Sequence, residues 1–208
     1  DRMYIGNIAG TGEIALAGVG ICGPIVTLIS SVAFLVGVGG SPLMSIRLGE
    51  KNERAARQIL ANCFLLLTVL SAAITVIALL MKNHLLMWFG ASEATFPYAN
   101  AYITIYLLGT VFALLATGMN QFIICQGFAK VGMKAVMIGA VANIVLDPIF
   151  IFGLHLDVRG AALATVLSQM CSCFYVLSFL FGKRVPIRIT FYGYDPRLML
   201  QVARVGFS

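Results

Sequence analysis

Residues 135–156, AVMIGAVANIVLDPIFIFGLHL, decide how this chain folds. Asp147 alone interrupts the uncharged run, which reaches the roughly 20 residues a helix needs to cross a 30 Å hydrocarbon layer. Lipid offers no partners to backbone amides, so such a run must satisfy its own hydrogen bonds as a helix. Four more runs match it: residues 14–46, 58–81, 94–129 and 160–182. Five spanning helices are therefore predicted, named A to E in chain order, with residues 135–156 as D. The composition agrees: 60% of residues are hydrophobic and 11% charged, with mean hydropathy +0.97, against about 25% charged in soluble domains. The chain reads as an all-α integral membrane protein.

Charge gives the orientation. Of the 14 Lys and Arg, all but Arg2, Lys82 and Arg159 lie in segments that alternation puts on one side: Arg47 to Arg57, Lys130 and Lys134, and Lys183 to Arg204. By the positive-inside rule that side is the cytosol. The net charge of +6 thus reports topology and contact with membrane lipid, and no nucleic-acid partner is expected. Residues 1–12 read as the outer end of an earlier helix, and residues 205–208 stop without a polar tail, so a piece of a longer polytopic protein is expected. The five Cys lie in apolar runs without a CxxC pair and read as small buried hydrophobes.

Helix A is studded with Gly18, Gly20, Gly23, Gly37, Gly39 and Gly40, which suits close backbone packing in lipid. The A–B loop, RLGEKNERAARQ, reads as a solvated turn. Trp88, Phe89, Tyr98, Tyr102 and Tyr106 fall near the outer surface, where aromatics anchor at the interface; Tyr102, beyond Pro97, has a cavity-facing alternative. His84 and His155 read as interfacial, and Asp157 with Arg159 as an outer-loop pair. After residue 182, Asp195 and Pro196 form an N-cap and first helical position, opening an amphipathic helix with Leu198, Met199, Val202 and Val205 on one side. That tail suits a cytoplasmic interfacial helix or a solvent-exposed connector.

Asp147 is the costly residue. It lies about 20 Å along helix D from Lys134 and about 12 Å from His155, inside the outer half of the membrane. An ionised carboxylate there costs several kcal/mol unless paired, hydrated or protonated. Asn143 stands one turn away on the same face. Pro148 frees the carbonyl of Ile144 and can kink the helix. Thr165, about 10 Å into helix E, is level with Asp147, and Asp1 falls at a similar depth. Such an oxygen-rich group suits a hard cation or a shared proton. The competing reading is an Asp hydrogen-bonded for packing alone. There is no HExxH, GxSxG, Walker A motif or repeated DxxxD set, so no enzyme activity and no cofactor is expected.

The Gly-rich end of helix A running into SIRLGEKN, then MNQFIICQGFAKVGMKA, then ANIVLDPIFIFG with VRGAALATVLSQ, resembles the amino-terminal lobe of a multidrug and toxic compound extrusion (MATE) transporter. The resemblance spans nearly the whole chain, and its last motif is the most specific. It implies a twelve-helix fold in two six-helix lobes. Residues 1–182 would then be the amino-terminal lobe with helix 1 largely missing, residues 183–208 the interlobe connector, and the carboxy-terminal lobe absent. Similarity to the DinF-like branch implies a cation or sodium site at Asp1, Asn143, Asp147 and Thr165, and a substrate cavity lined by Tyr102 and Asn120. It further implies export of cationic or amphipathic drugs and toxic compounds, by antiport with protons or sodium ions, as a multi-pass protein of the inner (plasma) membrane.

Two other readings compete. A lipid-linked oligosaccharide flippase of the same superfamily would be expected to line its cavity with Arg, and no Lys or Arg lies mid-membrane here. An intramembrane aspartyl enzyme using Asp1 and Asp147 would need a GxGD motif that the chain lacks.

Overall fold

A computed structural model describes residues 2–208; Asp1 lies outside the described residues. The chain forms a bundle of long helices. A short α1 (Arg2–Gly6) leads into α2 (Gly12–Gly49), and α3 (Glu53–Trp88) returns antiparallel. Then come α4 (Phe96–Leu108) and α5 (Thr110–Cys125), followed by α6 (Ala129–Pro148), which runs on as a π-helical turn over Ile149–Gly153. The chain ends with α7 (Asp157–Phe181) and α8 (Pro196–Phe207). Among the described residues four helices are long and apolar enough to cross a membrane, and five spans result if α4 with α5 counts as one. This is a multi-pass membrane protein.

Predicted helix C differs from the expected single rod. It breaks at Gly109, and its halves, α4 and α5, are bent by 57°. The cause lies across the bundle: a Cβ at Gly109 would sit 2.6 Å from Cγ2 of Val166 on α7. Only a glycine lets the elbow of C press against that helix.

Gly18, Gly37, Gly39 and Gly40 of α2 follow the same logic and take the packing role expected for them, whereas Gly20 faces open space. A Cβ at Gly40 would lie 2.6 Å from Cys63 Sγ and from Phe122, and one at Gly37 would lie 3.2 Å from the Gly118 carbonyl oxygen. Lipid gives no hydrophobic drive for helices to associate, so close backbone approach supplies the van der Waals contact instead. The A–B turn is solvated as expected: Asn52 caps α3 by accepting from the Ala55 amide at 3.1 Å, flanked by exposed Arg47–Glu50 and Arg57–Glu53 pairs. Cys22, Cys63 and Cys173 are buried as read, but Cys171 is exposed on the outer face of the bundle.

The tail departs most from expectation. Asp195 caps α8, accepting from the Arg197 amide at 2.9 Å, with Pro196 first in the helix as predicted. The predicted apolar side, Leu198, Met199, Val202 and Val205, is the less exposed side of α8, and it turns toward the bundle. Val202 is fully buried, because α8 lies across α2 with Gly39 facing the Val202 carbonyl and Gly206 facing the Leu35 carbonyl. Ahead of it, Gln126 accepts from the Ile187 amide at 2.9 Å and donates to the Ile187 carbonyl at 3.3 Å. Asn62 donates to the Gly193 carbonyl at 3.0 Å and accepts from the Asp195 amide at 2.8 Å. Two side-chain amides thus act as surrogate peptide groups that pin the tail to the bundle.

Candidate functional site

α6 presents two unlike faces. Ile144 and Val145 are 60% and 52% exposed, whereas Asp147 is 0% exposed. The i, i+4 spacing puts Asn143 with Asp147 on the face that packs against α7. There the Asn143 amide nitrogen donates to the Thr165 hydroxyl at 3.4 Å, and that hydroxyl donates to the Ala161 carbonyl at 3.0 Å. Thr165 thus meets Asn143, one turn of α6 from Asp147. Lower down, Ser172 donates to the Ala135 carbonyl at 2.9 Å, so α6 and α7 are tied at two heights.

The helix above Asp147 is reshaped where Pro148 predicts it. α6 ends at Pro148 and widens into the π-helical turn Ile149–Gly153, since proline cannot donate to the carbonyl four residues back. Gly160 of α7 faces the Phe150 carbonyl, with no room for a Cβ. The carboxylate therefore sits at the junction of a regular helix and a distorted one.

Tyr102 and Tyr106 correct the interfacial reading. They are only 7% and 5% exposed, and their rings stack with centroids 6.2 Å apart. The Tyr102 hydroxyl approaches Thr165. Trp88 at the end of α3, 74% exposed, keeps the position expected of an interfacial anchor.

A cavity of about 630 Å³ opens beside this cluster, between α2, α5, α6 and α7. Asn120, Asn143 and Thr165 line it; Tyr102, expected in the cavity wall, is not among its lining residues, nor is Asp147. Asn120, expected nearer the cytosol, shares this one space with Asn143; its Oδ1 is buried and has no hydrogen-bond partner. The lining adds Gln121, Ser168 and Gln169, which sequence reasoning passed over. Their signal was available: amides and hydroxyls interrupt the apolar runs of helices C and E. Among the described residues no charged side chain lines this cavity. Asp1 lies outside the described residues, so its position relative to Asp147 is not described. Among the described residues no three of His, Cys, Asp and Glu converge. The donors gathered here are one carboxylate with amide and hydroxyl oxygens, a set that fits a hard monovalent cation or a proton.

The MatE family model matches residues 1–149. Over 157 residues the chain is 34% identical to the multidrug export protein MepA of Staphylococcus haemolyticus, covering 75% of this chain and 35% of that protein. It is 29% identical over 174 residues to a FAD transporter of Shewanella oneidensis, covering 82% of this chain and 38% of that protein. A crystal structure of MATE in the bent conformation superposes with TM-score 0.92 at 30% identity, covering 99% of this chain and 47% of that one. The chain thus spans less than half the length of each of these proteins. On sequence and on architecture together, this chain belongs to the MatE family, as a half-length lobe of the MATE fold.

Proposed function

We propose that the chain is the amino-terminal lobe of a secondary active exporter in the plasma membrane. The exporter expels cationic or amphipathic compounds in exchange for protons or sodium ions. The observation that carries this reading is the fully buried Asp147 beside the Asn143–Thr165 hydrogen bond, next to a cavity lined by amides and hydroxyls. A carboxylate at that depth is retained against its solvation cost when its charge is used. Asn143 turns its amide nitrogen to Thr165, which leaves its carbonyl oxygen for the coupling ion; Asp147 supplies the charge or takes up the proton. Asp1 is the second carboxylate that the family resemblance assigns. Alternating access then follows: cation entry from outside at Asp147 displaces substrate from the cavity, and the two lobes rock inward. A carboxy-terminal lobe completes the cavity.

The test is efflux from vesicles carrying the complete transporter, under an imposed proton or sodium gradient, with Asp147→Asn beside the parent. Loss of gradient-driven efflux with retained substrate binding is expected. Unchanged efflux in Asp147→Asn would sink the coupling role. Response to only one of the two gradients identifies the ion.

A further inference from the structure

Of the three cations that the charge asymmetry assigns to the outer side, Lys82 and Arg159 share one cavity. It measures about 500 Å³ and lies between α3, α4 and the first turn of α7, with Asn100, Thr104 and Ile105 also in its wall. Lys82 donates to the Thr104 hydroxyl at 2.8 Å, and Thr104 donates on to the Asn100 carbonyl at 2.6 Å. That chain fixes the ammonium in place and uses one of its three protons. The side-chain oxygen of Asn100 is buried and accepts no hydrogen bond.

Among the described residues neither cation is paired with a carboxylate. Among the described residues the ion pairs are Arg47–Glu50 and Arg57–Glu53, so the pair expected between Asp157 and Arg159 does not form. Asp157 borders an adjoining cavity with His155 and Arg159, and no carboxylate lines the cavity that holds Lys82.

The level of the site suggests its occupant. Lys82 stands about 9 Å before the end of α3, which is marked by the exposed Trp88. Tryptophan sits at headgroup level, which puts Lys82 at the boundary between headgroups and hydrocarbon. From the cavity toward the membrane centre, Ile105 is followed one turn on by Leu108, which is 63% exposed. A phosphate at the boundary and an acyl chain below it match this sequence of surfaces.

We propose that this cavity binds an outer-leaflet phospholipid with an anionic headgroup of the phosphatidylglycerol type. Lys82 and Arg159 hold the phosphate oxygens, and an acyl chain lies along Ile105 and Leu108. A zwitterionic headgroup would bring an ammonium toward two cations and is disfavoured. The leaflet assignment rests on the orientation used for the exporter; the binding chemistry does not.

The complete transporter, delipidated in neutral detergent, is titrated with phosphatidylglycerol, with phosphatidylcholine and with inorganic phosphate, and bound lipid is read by native mass spectrometry. Saturable, one-site binding of phosphatidylglycerol is expected, weakened at least about tenfold in Lys82→Gln/Arg159→Gln. The charge-keeping Lys82→Arg/Arg159→Lys variant controls for folding and should retain binding, as should Lys130→Gln/Lys134→Gln. Equal affinity for phosphatidylcholine, equal binding by the charge-neutral variant, or competition by inorganic phosphate at the same concentration as the lipid overturns the proposal. Because the readout is lipid retention, a failed exporter reading leaves it intact, and its own failure leaves Asp147 untouched.

Discussion

Asp147 and Ile144 occupy the same turn of α6, yet the first is wholly buried and the second is 60% exposed. That contrast selects one face of the helix for chemistry and gives the other to lipid or a neighbouring lobe. The Asn143–Thr165 contact at 3.4 Å is long, and interhelical hydrogen bonds in membranes average about 0.6 kcal/mol. A double-mutant cycle with Asn143→Ala and Thr165→Val, read by thermal unfolding in detergent, should therefore give a coupling energy below about 1 kcal/mol. Efflux in the same variants should fall far more than their stability. If stability falls as steeply as efflux, the pair serves packing. These residues were legible because i, i+4 spacing and depth per residue follow from helix geometry alone. The burial of Tyr106 was not, since an aromatic near a helix end reads alike as an interfacial anchor or an inward-facing ring until the neighbouring helices are placed.

At the scale of elements, the elbow of α4 and α5 is the clearest case of one helix shaping another. Adding a side chain at Gly109 forces it into Val166, whose Cγ2 would lie 2.6 Å from the new Cβ. Gly109→Leu should destabilise the protein by about 2 kcal/mol or more, and Val166→Ala should restore part of the loss in a double-mutant cycle. Full additivity of the two would show that the elbow does not rest on this contact. Helix C was legible as a span and illegible as a bent one. A lone glycine in an apolar run costs a helix only about 1 kcal/mol, so the bend depends on the approach of α7. By contrast, the π-helical turn after Pro148 was foreshadowed locally, because a missing donor acts wherever the proline stands.

For the whole molecule, the tail binds the lobe together across large sequence separations. Gln126 and Asn62 each hold backbone groups of the 187–195 segment, and Gly39 admits α8. Asn62→Ala/Gln126→Ala should raise the rate of limited proteolysis within residues 183–195 by about tenfold or more, each lost pair of bonds being worth about 1 kcal/mol. Gly39→Val should do the same through α8, and an unchanged cleavage rate in both variants would show that the tail is held by other contacts. Composition and periodicity alone determined that the chain is helical, that it lives in a membrane and where its spans fall, because lipid leaves a backbone no other solution. Sequence spacing likewise determined that Asn143 and Asp147 share a face. Only the tertiary structure decided that helix C bends, that the tail docks on α2, that Tyr106 turns inward, and that Lys82 and Arg159 meet in one cavity. Each of these depends on which side chains a neighbouring helix brings within a few ångströms, and such contacts leave no local mark in the residues that make them.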